Sequence, residues 1–132
     1  MRLWLPSGRA ITYHGVRDEK YRVPDKTKPG RWVRKEGWRY DDPKKAGMRI
    51  GTYGGRLAEN ATQAVARDLL AASLVRLDRA GFQVVSHVHD EVIVQGTEDL
   101  EEVERLMCLR PKWARGLPVD AEGFTTKRYR KG

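Results

Sequence analysis

Val84-Val85-Ser86-His87-Val88-His89-Asp90-Glu91-Val92-Ile93-Val94-Gln95 holds two β-branched runs separated by two acidic residues. Residues 84–89 and 92–95 read as strands, and a two-residue connection between them predicts an antiparallel hairpin with Asp90-Glu91 at its turn. The pair is an unusual choice there, because such turns favour Asn-Gly or Asp-Gly. Two adjacent carboxylates repel unless a cation or solvent screens them. On a tight turn they can present oxygens to Mg2+, which takes one or two carboxylates and completes its shell with waters and substrate phosphates. A solvated acidic turn is the other reading of the same residues. His87 and His89, two apart and read as sharing a strand face, also fit a transition-metal site. The only other histidine is His14, so a larger His/Asp constellation is missing.

Working upstream, residues 57–80 contain neither Gly nor Pro, and Ala61, Val65, Ala66, Leu69, Leu70, Leu74 and Leu77 recur at helical spacing. Gly81 supplies a C-terminal stop. Arg56, Asn60, Gln63 and Arg67 fall at i, i+4, i+7 and i+11, one continuous stripe of that helix. These residue types donate to phosphates, sugars and minor-groove acceptors. Hydrogen bonding of Asn60 and Gln63 to loop backbone is the structural alternative. Downstream, Thr97 is read as the cap of a second helix running to about Cys108, with Glu98, Asp99 and Glu101 in its first turn. Residues 117–122, Leu-Pro-Val-Asp-Ala-Glu, read as a final strand at a sheet edge, since Pro118 lacks a donor.

Residues 2–14 read as a hairpin turning at Pro6-Ser7-Gly8-Arg9, and residues 15–30 as a polar surface loop. Residues 31–35 and 38–40 read as a second hairpin around Glu36-Gly37, and residues 41–55 as a Lys- and Gly-rich loop. Trp32, Trp38 and Tyr40 alternate with Arg31, Arg34, Lys35 and Arg39. Such aromatics either stack on bases while the cations hold phosphate, or form cross-strand pairs that pack the sheet.

Net charge is +8, and its distribution is uneven. Residues 1–55 carry 14 Lys and Arg against 6 Asp and Glu, whereas residues 56–132 carry 12 of each. The whole excess is N-terminal, with a local cluster at Lys127-Arg128-Tyr129-Arg130-Lys131, which points to a polyanionic partner, nucleic acid first. Apolar and charged fractions of 39% and 33% fit a soluble globular chain, and 132 residues fit one domain. No apolar run approaches the roughly 20 residues of a membrane span, and the first residues are too short an apolar stretch for a signal peptide. Cys108 is the only cysteine, which excludes an internal disulfide and a cysteine-based zinc site. A cytoplasmic protein is expected.

Val88-His89-Asp90-Glu91-Val92 resembles the third catalytic motif of family A (polymerase I-like) DNA polymerases, a palm hairpin with a His-Asp-Glu tip. Residues 52–64, Thr-Tyr-Gly-Gly-Arg-Leu-Ala-Glu-Asn-Ala-Thr-Gln-Ala, resemble the phage branch of that family, as do Ala66-Arg67-Asp68-Leu69-Leu70, residues 111–119 and Leu5-Pro6-Ser7-Gly8-Arg9. The resemblance extends to Ala121-Glu122-Gly123 and Arg128-Tyr129-Arg130-Lys131, and so covers nearly the whole chain.

The resemblance implies a partial polymerase palm, with residues 1–55 a basic hairpin and loop region and residues 56–132 the palm segment. The expected fold is α+β: an antiparallel sheet, built around the motif hairpin and the strand at 117–122, packed on one long helix and a second shorter one. The helical stripe is expected to face a groove beside Asp90. By resemblance, Asp90 binds catalytic Mg2+ with Glu91 as an accessory acid, and His89 helps position the primer terminus. Arg56, Asn60 and Gln63 contact the template-primer duplex, with Arg67 on the same stripe; Gln63 follows the phage spacing, one residue shorter than in cellular members. The implied reaction is nucleotidyl transfer from dNTP in DNA replication, with two Mg2+ ions roughly 4 Å apart acting on the primer hydroxyl and the leaving pyrophosphate. That chemistry also needs a second aspartate from the first catalytic motif, and a fingers helix; neither motif is among these residues. The expectation is therefore a split or truncated DNA polymerase with a second polymerase chain as partner. The alternatives are a non-catalytic nucleic-acid-binding module and an inactive prophage remnant.

Overall fold

The computed structural model describes residues 1–129; Arg130 and Lys131 of the basic tail, with Gly132, lie outside the described residues. The chain is α+β. In order it forms β1 (Arg2–Trp4), β2 (Ala10–Thr12), β3 (Arg17–Pro24), β4 (Trp32–Asp41), β5 (Arg49–Gly51), α1 (Gly54–Arg79), β6 (Gln83–Val88), β7 (Glu91–Gln95) and α2 (Leu100–Cys108), then a 3-10 turn at Lys112–Ala114. Among the described residues all pairing is antiparallel, in three separate sheets, β1-β2, β3-β4-β5 and β6-β7. Two compact units result, Met1–Gln63 and Ala64–Gly132, and α1 contributes to both.

In the first unit, β1 and β2 form the hairpin expected over residues 2–14. The Met1 ammonium donates to Tyr13 O at 2.8 Å, and Leu5 and Tyr13 are buried. Residues 15–30 are not simply a loop, because residues 17–24 are strand β3. Nor do residues 31–40 turn at Glu36-Gly37: β4 runs through both and pairs with β3 along its length, Lys20 opposite Glu36 and Glu19 opposite Gly37. Electrostatics hold what apolar patterning does not. Glu19 Oε1 accepts from Arg39 Nη1 at 3.1 Å and Arg49 Nε at 2.8 Å, while Oε2 accepts from Arg17 Nε at 3.2 Å. Arg49 reaches on to Asp41 Oδ1 at 2.6 Å and to the Gly15 carbonyl at 2.9 Å. β5, within the expected 41–55 loop, is thereby tied to the sheet. Gly15 has φ +57°, and a Cβ there would run into the Asp41 carboxylate, so this turn needs glycine.

In the second unit, α1 ends as its sequence predicts. Phe82 N donates to Leu77 O and Gly81 N to Asp78 O, both at 3.0 Å, with Gly81 at φ +88°. This paired-bond glycine cap turns Phe82 back onto Leu77. Leu77 is fully buried with Val103 and Leu106 of α2, and Phe82, Val84, Val92, Val94 and Met107 pack around them. Two α1 side chains also serve the open end of α2: Arg76 Nε donates to Leu106 O at 3.0 Å, and Ser73 Oγ lies 3.2 Å from Met107 O. The orphan carbonyls of that last turn are thus met partly by a cation, where the helix dipole favours one.

The α2 cap is Asp99, not Thr97: Asp99 Oδ1 accepts from Glu102 N at 3.1 Å, and Thr97 Oγ1 accepts from Asp99 N at 3.1 Å. Both are capping residue types, and the one whose carboxylate reaches the third helical amide takes the position. Residues 117–122 form no strand. Pro118 lacks a donor, and β6-β7 remains two-stranded. The segment is instead tied to α2, where Gly123 N donates to Glu104 Oε1 at 2.7 Å.

Candidate functional site

The hairpin turns one residue earlier than the sequence predicts. Val88 pairs with Glu91, so His89 and Asp90 form the two-residue turn and Glu91 opens β7. His89 has φ +55°, the only positive φ outside glycine among the described residues. A left-handed residue is what such a turn demands, and a histidine there costs about 1 kcal/mol where glycine would not. His89 therefore leaves the strand, and it does not share a strand face with His87.

A bulge at Val85 changes the phase of β6: Val84 lies opposite Val94, but Ser86 lies opposite Ile93 and His87 opposite Val92. Cross-strand partners share a face. Val92 and Val94 point to the core cluster, and so Glu91 and Ile93 fall on the other face. The alternation that packs Val92 and Val94 against the core places the half-buried Glu91 on the opposite face.

Asp90 is exposed, and among the described residues its carboxylate has no hydrogen bond or ion pair. Glu91 is half-buried, and its Oε2 accepts from Tyr129 Oη at 3.1 Å. Partial burial and the Glu91 carboxylate together raise the Tyr129 phenol above its usual range. Among the described residues, no group of three or more His, Cys, Asp and Glu is assembled to hold a metal. Two adjacent carboxylates, one free and one oriented by a phenol, fit the sparse mode in which Mg2+ is held by one or two carboxylates plus waters and phosphates.

α1 carries all four stripe residues, with Arg56, Gln63 and Arg67 exposed and Asn60 half-buried. Arg56 Nη1 donates to Gly51 O at 3.2 Å, and its guanidinium stands 5.7 Å from the Tyr53 ring centre. Asn60 Nδ2 donates to the hydroxyl of buried Tyr13 at 2.8 Å. Gln63 Nε2 reaches Glu59 Oε1 at 3.4 Å, one turn back on the same helix. Neither amide bonds loop backbone. Arg67 has no partner among the described residues.

Two contacts had no local signal in the sequence. Tyr129 lies 38 residues from Glu91, and Tyr13 lies 47 residues from Asn60; no periodicity links either pair. No helix among the described residues is long and apolar enough to cross a membrane.

No protein-family model matches the chain, and no solved structure matches it. The DNA polymerase of Bacillus phage SP02 is 41% identical over 135 residues, an alignment covering 96% of this chain and 19% of the phage protein. The chain therefore spans about a fifth of the length of the curated relative it matches. Identity at that level along nearly the whole chain supports a common origin with that part of a DNA polymerase.

Proposed function

We propose that these residues form part of the palm of a phage-type, family A DNA polymerase acting in DNA replication. The observation that carries this reading is the 41% identity to a phage DNA polymerase over 96% of the chain, together with a hairpin tip that exposes His89 and Asp90 beside a half-buried Glu91. In this reading Asp90 gives carboxylate oxygens to the catalytic metal site. Glu91, oriented by Tyr129, is an accessory acid, and His89 positions the primer terminus. Bound Mg2+ supplies the Lewis acidity that nucleotidyl transfer from dNTP requires. Arg56, Asn60, Gln63 and Arg67 hold the template-primer duplex through phosphates, sugars and minor-groove acceptors. The amide oxygen of Asn60 and its second amide hydrogen serve there, since its first hydrogen is given to Tyr13.

In this reading the first catalytic motif and the fingers, which these residues do not contain, are supplied by another part of the polymerase. A cytoplasmic location, in a bacterial or phage-infected cell, goes with this reading. The basic excess of residues 1–55 favours a second reading, a nucleic-acid-binding module or prophage remnant without catalysis. Primer extension with Mg2+ and dNTPs separates the two. Extension that requires this chain together with a polymerase partner, and that disappears in Asp90→Ala, supports catalysis. DNA binding without extension under any pairing overturns it.

A further inference from the structure

The two faces of the β3-β4 ribbon are treated differently by the fold. Cross-strand partners share a face, and successive residues alternate. On one face the arginines are engaged by carboxylates of the sheet: Arg17, Arg39 and Arg49 all meet Glu19, and Arg49 also meets Asp41. On the other face Arg22 lies directly opposite Arg34. Neither arginine has an ion-pair or hydrogen-bond partner among the described residues. Like charges set opposite each other cost stability, and an anion bound between them would relieve that cost beyond what solvent and salt screen.

The same face carries Trp32 and Trp38, which are 61% and 53% exposed. They are not packed as an aromatic pair, because Trp32 lies opposite Pro24 and Trp38 opposite Asp18. Of the β4 aromatics, Tyr40 alone is used structurally, meeting Tyr13 edge to face at 5.1 Å. Lys20 and Glu36 meet across the strands at 3.9 Å and largely offset each other, which leaves the arginine pair against Asp18 alone, an excess of positive charge on this face. Trp32 and Trp38 are six residue steps apart, about 20 Å along the sheet, with Arg34 between them.

Phosphate-seeking cations between solvent-facing aromatic rings on an open sheet match one ligand chemistry, an anionic backbone bearing accessible flat bases. A duplex hides its base faces. We infer that this face of the β3-β4 ribbon, through Trp32, Trp38, Arg22 and Arg34, binds single-stranded nucleic acid. The inference stands on charge and exposure within residues 17–41 and does not rest on the polymerase reading.

The test is fluorescence anisotropy of labelled oligo(dT), and of a duplex of equal length, against the full chain over a range of salt. Trp32→Ala and Trp38→Ala are each expected to weaken oligo(dT) binding roughly ten-fold, with the phenylalanine variants retaining most of the affinity. Arg34→Ala is expected to lower the slope of log affinity against log salt by about 0.7. Circular dichroism checks that the variants stay folded. Two results overturn the inference: oligo(dT) binding unchanged in the Trp32→Ala/Trp38→Ala double variant, or equal losses for oligo(dT) and duplex. Tryptophan-dependent binding alongside failed primer extension removes the catalytic reading and leaves this surface in place.

Discussion

Tyr129 donates its phenolic hydroxyl to Glu91 Oε2 at 3.1 Å, closing 38 residues of chain onto the turn of the β6-β7 hairpin. Partial burial and the carboxylate both favour the neutral phenol, so its pKa in the folded protein lies above the ordinary value of 10.0. The bond therefore contributes to stability at pH below about 10, the range of an unfolded tyrosine, and is lost as pH rises through the raised folded value. Spectrophotometric titration should find one tyrosine ionising later than a surface phenol, and Tyr129→Phe should remove that component. A titration identical in the variant would break the assignment.

Asn60 belongs to the polar stripe of α1, yet its amide nitrogen is engaged by Tyr13 at 2.8 Å. Tyr13 is 4% exposed. Tyr13→Phe removes the acceptor and leaves the amide donor part-buried, which should cost about 1–2 kcal/mol in urea unfolding. Asn60→Ala should cost about 1 kcal/mol. A double-mutant cycle should then show coupling between the two positions; additive effects would mean that the bond does not hold in solution.

Glu19 is the hub of the β3-β4-β5 sheet. Partial burial alone would raise its carboxyl, but the hydrogen bond and charge of Arg49, joined by Arg17, carry it below the usual carboxylate range. Because the folded pKa is depressed, the contribution is complete above the ordinary value of 4.5 and is lost as pH falls through the folded value. Thermal melts between neutral and strongly acid pH should show Tm falling below about pH 4.5, with a shallower fall in Glu19→Gln. At neutral pH the variant should melt earlier, because three arginines are left facing one another.

That hub explains where the sequence was readable and where it was not. α1 was legible because Leu69, Leu70, Leu74 and Leu77 repeat at helical spacing and Gly81 ends the repeat. The β6-β7 hairpin was legible from its valines, although its turn lies one residue earlier than the acidic pair indicates. β3 was not, because its alternation is carried by Glu19, Tyr21 and Val23 among charged residues, and its stabilising partner Arg49 is 30 residues away. Glu36-Gly37 read as a turn for the same reason, since nothing local reveals that Lys20 and Glu19 lie opposite. The error at 117–122 runs the other way. An alternating segment has strand character on its own, but it forms a strand only where another strand offers its edge. Of the candidate site, the acidic pair and the stripe were visible as residues; Tyr129 and Tyr13, which hold Glu91 and Asn60, were not.

Leu77 is the one fully buried large side chain among the described residues, with Val103 and Leu106 against it. Leu77→Ala should cost about 3 kcal/mol through lost transfer energy and the cavity left behind. A small unit has little reserve against such a loss, so its urea midpoint should drop sharply. A change below about 1 kcal/mol would mean that the α1-α2 contact is not the core of this unit.

Asp90 and Glu91 are neighbours in sequence but not equivalents in structure. Asp90 sits in the two-residue turn with its carboxylate free, whereas Glu91 begins a strand and already accepts a hydrogen bond. If the tip binds metal, Asp90 can turn both oxygens to the ion, while Glu91 offers one oxygen and acts partly through orientation. Asp90→Ala in the complete polymerase should therefore lower primer extension by at least about a hundred-fold, and Glu91→Ala by roughly ten-fold. Asp90 is exposed and makes no hydrogen bond among the described residues, so Asp90→Ala should change folding stability by no more than about 0.5 kcal/mol. A loss of activity with an unchanged melt then reports chemistry and not unfolding. Raising Mg2+ should recover part of the Glu91→Ala activity, because a weakened site can be refilled, but little of the Asp90→Ala activity. Equal losses, rescued equally by Mg2+, would show that the two carboxylates share one role and that the Tyr129 bond does not divide them.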